Sequence, residues 1–319
     1  MMLELIFLII GFIMIIKASD VLVDAASSIA TKFHVPKMLI ALTIVSFGTC
    51  APEVAISFNS VMAKNGTMAF ANVIGSCIVN VFLIVGLAAL VKPIKVKHNT
   101  VKKELPILLL VTTSFSVLML DSLFNSRNSN IFSRADGIIL ILLFFMFVAY
   151  LIQLFRGRAI TEAEETVEIK YDNIFIAITL LVLSIVMICM SSDVIVDNAT
   201  KIATAIGISE KVITMTAIVI GTSLPELMLT VSSAKKGEFD MTIGNIVGTN
   251  IFNVCVVLGL PIAIYGDILL ESFSVVDILV VFLSSLDLFL FARSERTISK
   301  KEGIIMLLIF GVYYTYLFI

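Results

Sequence analysis

The sequence predicts an all-α polytopic membrane protein with ten transmembrane helices in two inverted five-helix repeats, and three observations predict it. Apolar residues make up 59% of the 319 positions and charged residues only 14%, where a soluble domain carries roughly a quarter; mean hydropathy is +1.10. The apolar residues gather into ten runs separated by polar punctuation. The chain also echoes itself: Gly48-Thr49-Cys50-Ala51-Pro52-Glu53 returns 173 positions later as Gly221-Thr222-Ser223-Leu224-Pro225-Glu226.

The runs lie near residues 3–30, 38–63, 68–91, 105–121, 136–155, 173–204, 211–235, 241–265, 274–292 and 303–318. A span needs about 20 residues, so the first and sixth, which are longer, must tilt or protrude. Met1-Met2-Leu3-Glu4-Leu5 lacks the positive stretch of a signal peptide, which favours a first membrane helix. Basic residues set the orientation. With the N-terminus outside, sixteen of the 22 Lys and Arg fall in cytoplasmic loops and only five outside, Lys17 lying within helix one. Basic residues concentrate on the cytoplasmic side, so a multi-pass cell-membrane protein with both termini extracellular is expected.

Composition excludes other classes. A net charge of −2 without a basic patch gives no support to nucleic acid as a partner; the lipid bilayer is the partner that the hydropathy demands. The four cysteines, Cys50, Cys77, Cys189 and Cys255, all sit in apolar runs, unlike a secreted disulfide framework. The last three read as small core hydrophobes, and the Met and Phe content as lipid-facing filler. Asp20, Asp24, Asp193 and Asp197, near helix ends, read as structural or interfacial, with Lys17 snorkelling or pairing with Asp20.

The duplication extends beyond the motif. At the same offset Ser19-Asp20-Val21 matches Ser192-Asp193-Val194, Asn72 matches Asn245, Gly75 matches Gly248, Asn80 matches Asn253 and Gly86-Leu87 matches Gly259-Leu260. Residues 1–156 form the first repeat and 173–319 the second. Five helices is an odd number, so the second repeat enters from the opposite face, as in alternating-access carriers. The 157–172 linker, carrying Glu162, Glu164, Glu165 and Glu168, is polar and cytoplasmic; it has no room for a large regulatory domain.

A carboxylate inside a membrane span is costly and marks a functional site by default. In Gly-Thr-x-x-Pro-Glu the proline breaks the helix, and breaks survive in lipid where the freed carbonyls face a cavity, ready to ligate a cation. Thr49, Thr222 and Ser223 add neutral oxygens; Glu53 and Glu226 add charge. Calcium takes six to eight oxygens of this mixed kind. Downstream, Ser76 and Asn80 share one helical face, as do Thr249 and Asn253, each pair being four apart. Gly75 and Gly248 allow close helix approach, and Asn72 and Asn245 line the pathway or brace the packing. A lone buried Asn or Ser ordinarily serves as interhelical glue; the doubled motif is what sets these apart.

The paired motifs resemble the alpha-repeats of the calcium/cation antiporter superfamily, in particular its sodium/calcium exchanger branch, over essentially the whole chain. That resemblance implies a central metal-ion site of Thr49, Cys50, Glu53, Ser76 and Asn80 with Thr222, Ser223, Glu226, Thr249 and Asn253. It also implies that helices one and six slide across the rest during transport. The proton-coupled branch tends to have Gly-Asn where Gly48-Thr49 and Gly221-Thr222 stand here, which favours sodium coupling. Two positions depart from parts of the family: Cys50 stands where serine is common, a poor ligand for hard cations, and Asn253 where potassium-dependent members carry Asp.

The expected function is secondary active antiport, sodium-driven calcium exchange by alternating access at a midplane two-glutamate site, with calcium and sodium as the transported ions, no cofactor and a monomeric transport unit. The alternative is a proton-coupled exchanger of calcium or another divalent cation. An enzyme is disfavoured: the only histidines, His34 and His98, fall in predicted loops, leaving no histidine base or metal ligand at the membrane centre.

Overall fold

A computed structural model of the protein describes residues 2–120, 130–156, 170–207, 221–270 and 275–317. Its long helices, in order, are α1 (Met2–Lys32), α2 (Lys37–Thr49), α3 (Ala51–Met62), α4 (Met68–Val91), the short α5 (His98–Lys102), α6 (Glu104–Met119), α7 (Arg134–Arg156), α8 (Ile174–Ala205), α9 (Leu224–Lys236), α10 (Phe239–Tyr265), α11 (Val275–Ser294) and α12 (Lys300–Leu317). Among the described residues, six helices are long and apolar enough to cross a membrane, and α2 and α3, bent by 53° at Cys50, make a seventh span. The first half of the expected seventh helix, 211–220, and most of the 157–172 linker lie outside the described residues.

Burial sorts the helices into a centre and a rim. In α4 and α10, 78% and 83% of the membrane-spanning window is buried, against 33% in α1 and 28% in α8. α1 and α8, 31 and 32 residues long, pack along one another at the rim and expose apolar side chains such as Phe7, Ile13, Phe175 and Val182, as lipid contact requires. The expectation that phenylalanine is lipid-facing filler is corrected in part. Phe70, Phe115 and Phe132 interlock with centroids 5.1–6.2 Å apart, and they and Phe82 are fully buried. Central helices enclosed on all sides need bulky apolar side chains to fill the second layer.

Packing between the halves is reciprocal. α4 crosses α12 where a Cβ on Gly86 would come within 3.1 Å of the Gly303 carbonyl, and α10 crosses α7 where one on Gly259 would meet the Gly137 carbonyl at 3.4 Å. Each repeat's last helix therefore packs against the other repeat's third. The short strands follow the same rule: β1 (Ile94–Lys95) pairs antiparallel with β4 (Thr297–Ile298), and β2 (Asn130–Phe132) with β3 (Ile268–Leu270).

Even a turn is duplicated. After α9, Gly237 adopts a left-handed conformation, φ 80°, and the turn closes with Gly237 N–H donating to Ala234 O and Glu238 N–H to Ser233 O. After α3 the equivalent Lys64 takes φ 59°, with Lys64 N–H donating to Val61 O and Asn65 N–H to Ser60 O. A lysine holds a conformation that favours glycine because the repeat geometry demands it.

Candidate ion-binding site

The two Pro-Glu motifs sit at matched helix breaks. Pro52 and Pro225 each lie in the first turn of the half-helix that follows the break, α3 and α9, where a missing N–H costs nothing. The carbonyls they release, Gly48 and Gly221, are both met by α8. Ser192 Oγ donates to Gly221 O at 2.8 Å, and Cys189 Sγ lies 3.8 Å from Gly48 O. Each carbonyl thus has one neighbour on α8, and Cys189, read from sequence as a small core hydrophobe, is half-buried beside the break. The glycines are required: a Cβ on Gly48 would stand 2.7 Å from Ile185, and one on Gly221 2.5 Å from Val196.

Between the breaks, side chains of both repeats turn toward one another. Glu53 and Glu226 are buried, and neither oxygen of either carboxylate has a hydrogen-bond partner among the described residues. The Thr222 and Ser76 hydroxyls stand beside Glu53, and the Thr49 hydroxyl beside Glu226, near enough to act on the charge without forming hydrogen bonds. The arrangement is crossed: each motif's threonine faces the other motif's glutamate. Cys50, fully buried, has its thiol by Thr249.

Eight of the ten sequence-expected ligands (Glu53, Ser76, Asn80, Thr222, Ser223, Glu226, Thr249 and Asn253) carry a buried side-chain polar atom without a hydrogen-bond partner among the described residues. Buried polar atoms are nearly always paired, so orphans of this kind gathered from both repeats mark a candidate binding site. The other two differ. Thr49 Oγ1 donates to Ser46 O at 3.3 Å, and Cys50 offers sulfur. Among the described residues no three His, Cys, Asp or Glu groups gather as a metal cluster, so two carboxylates diluted in neutral oxygens define the chemistry. That composition suits a hard cation.

π-helical turns open at the site in both central helices, over Val79–Val85 in α4 and Asn253–Leu258 in α10. Such turns widen a helix locally and recur at functional sites; here they carry Asn80 and Asn253. Asn72 and Asn245 brace the packing through their amide nitrogens, while the Oδ1 of each is buried and unpartnered among the described residues. Asn72 Nδ2 donates to Ser57 Oγ and Asn245 Nδ2 to Thr230 Oγ1, each at 3.0 Å, equivalent bonds in the two halves. The motif reading passed over Ser192 and Asn250, which join the set. For Asn250 a signal lay in asymmetry, since it aligns with Cys77 and not with another amide; Ser192, matched by Ser19, carried none.

A sequence profile described as sodium/calcium exchanger protein matches residues 3–153 and 176–319, one block in each repeat. The chain belongs to the sodium/calcium exchanger family. Inner membrane protein YrbG of Escherichia coli is 36% identical over 267 residues, 82% of this chain and 80% of its own. The putative antiporter CaxA of Alkalimonas amylolytica is 34% identical across 100% of this chain and 99% of its own, and the sodium/calcium exchanger MaX1 of Methanosarcina acetivorans 29% across 98% and 97%. The solved sodium-calcium exchanger NCX_Mj, soaked with Na+ and Sr2+, superposes with a TM-score of 0.83 at 29% identity over 98% of both chains. This family member is thus a membrane cation antiporter, and its relatives are transporters, not enzymes.

Proposed function

We propose that the chain is a sodium-driven calcium antiporter working by alternating access, with Glu53 and Glu226 as the shared charged ligands and Thr49, Cys50, Ser76, Asn80, Thr222, Ser223, Thr249 and Asn253 around them. One observation carries the reading: four unpartnered carboxylate oxygens and the surrounding orphan hydroxyl and amide atoms, all buried between the repeats. MaX1 and NCX_Mj are named sodium/calcium exchangers, which supports both ions as cargo.

Charge balance supplies the mechanism. Two buried carboxylates without a counter-ion cost several kcal/mol to hold in a dehydrated site. The loaded carrier, with calcium or a set of sodium ions matching the charge, crosses between facing states; the empty one is held back. Exchange follows because both cargoes use the same ligands. Carrying more than two sodium ions per calcium makes the cycle electrogenic, coupling it to about 2.3 kcal/mol per net charge per 100 mV. Residues 1–156 and 173–319 act as the two inverted halves, joined by 157–172, with both termini extracellular, no cofactor and one chain as the transport unit.

The test is flux in proteoliposomes. A sodium gradient opposed to calcium should drive radiolabelled calcium uptake, and Glu53→Gln or Glu226→Gln should lower it at least a hundredfold. Uptake that ignores sodium and follows a pH gradient would establish the proton-coupled alternative, which the sulfur of Cys50 in place of a hydroxyl favours. Normal transport by both Gln variants would remove the site assignment.

A further inference from the structure

Asn250 lies between Thr249 and Asn253 in sequence yet off the face those two share. It is fully buried and links the two central helices beside the site. Its Nδ2 donates to the Cys77 carbonyl at 3.4 Å, which sets the direction of its amide. Its Oδ1 then accepts from Asn80 Nδ2 at 2.8 Å. Asn80 is left with one unpartnered polar atom, the buried Oδ1. An amide has a donor end and an acceptor end, and only the oxygen can face a cation.

The other half lacks this relay. The residue equivalent to Asn250 is Cys77, whose side chain has no amide to offer. Asn253, equivalent to Asn80, has both amide atoms unpartnered in its buried position. Two matched ligands therefore differ in freedom: one is held with its oxygen forward, and the other turns either end.

We propose that Asn250 is a positioning residue for cation transport, holding the Asn80 amide so that its oxygen is preset toward the ion, and that Cys77 leaves Asn253 without such a hold. The proposal rests on the reading of Asn80 as a ligand. A preset ligand loses less orientational freedom on binding, so the relay acts on affinity while the conformational step is untouched.

The experiment measures calcium-dependent uptake by the full chain in proteoliposomes, giving KM and maximal rate for Asn250→Leu, Asn80→Ala and their double variant. Asn250→Leu should raise the calcium KM about five- to tenfold with the maximal rate within about twofold of wild type. Because Asn250 works through Asn80, the double variant should be no worse than Asn80→Ala alone; additive losses would overturn the proposal. Asn250→Asp keeps the acceptor for Asn80, so its KM should not exceed wild type, and a rise would likewise overturn it, even if the Leu variant fails to fold. A wild-type KM in Asn80→Ala would instead remove Asn80 from the site, a failure of the underlying reading. As a reciprocal check, exchanging the pair as Cys77→Asn with Asn250→Cys should make Asn253→Ala the more damaging of the two ligand truncations. Unchanged ranking would count against the relay.

Discussion

At the scale of single residues, the proposed site gathers two buried carboxylates whose oxygens find no hydrogen-bond partner among the described residues, an arrangement that is costly to hold ionised without a cation. Removing one carboxylate should therefore stabilise the cation-free protein while abolishing its response to cargo. Glu53→Gln is expected to raise the cation-free Tm by about 2–4 °C for each kcal/mol of repulsion relieved, and to lose the further rise that calcium gives wild type, worth about 2.7 kcal/mol at a hundred times Kd. Differential scanning fluorimetry in detergent, with and without calcium, reads both. Lys64 offers a test away from the site. Its left-handed φ of 59° costs a non-glycine residue roughly 1–2 kcal/mol, so Lys64→Gly should stabilise the protein by about 1 kcal/mol with transport unchanged. The candidate ligands stood out in sequence because the motif occurs twice and carboxylates are conspicuous in apolar runs. Asn250 and Ser192 did not, because their work depends on which helix lies beside them. Ser192 even has a matching Ser19, but Ser19 Oγ donates to Ile15 O within its own helix, so identical residues at equivalent positions make different bonds.

At the scale of elements, α1 is tied to α9 and to the segment before α8 on one face. Ser232 Oγ donates to Asp20 Oδ1 at 2.5 Å, and Lys236 Nζ reaches the Asp20 carbonyl at 2.6 Å and Asp24 at 2.5 Å. Lys170 meets the other Asp24 oxygen at 2.6 Å, and Tyr171 N–H donates to Ser28 Oγ at 3.2 Å. Asp20 thus pairs with α9, not with Lys17. On the opposite face Asp197, the equivalent of Asp24, finds only Lys201 among the described residues, one turn along its own helix; the positions matching Ser232 and Lys236 are Asn59 and Ala63. Of the structural or interfacial role expected for these aspartates, Asp20 and Asp24 take the structural form, and Asp193 and Asp197 are exposed near the end of α8. If α1 slides during transport, this tie must open. Lys236→Ala should speed maleimide labelling of a cysteine placed at Ala25 about tenfold, the equivalent of 1.4 kcal/mol for a partly buried ion pair. High salt should speed labelling in wild type and barely in the variant. Equal rates in both would show that the tie bears no load.

At the scale of the whole molecule, the halves complete one another. Gly86 against Gly303 and Gly259 against Gly137, together with the crossed strand pairs, mean that neither repeat buries its own third helix alone. Residues 1–156 or 173–319 expressed singly should fail to accumulate in the membrane, while co-expression should restore calcium uptake; recovery of a folded single half by size-exclusion chromatography would contradict this. The inverted architecture was readable from the constant offset and the odd helix number. The exchange of last helices between repeats was not: α7 and α12 begin alike, Ser133-Arg134-Ala135-Asp136-Gly137 against Ser299-Lys300-Lys301-Glu302-Gly303, but at an offset of 166 instead of 173, and the helix that each glycine meets is set by tertiary packing.

A tie found on one face alone among the described residues would make the two directions of the proposed transport cycle kinetically unequal. A carrier obeying detailed balance runs whichever way the gradients dictate, yet its waiting posture need not be midway. With α1 fastened near Lys236, a protein that alternates access as proposed would lean toward the other side and meet cargo there first. Ions arriving from the fastened side would have to find the minority conformation, so their apparent affinity would be lowered by the fraction of molecules so posed. Two aspartates, a serine and two lysines would then make a nearly symmetric machine a soft check valve.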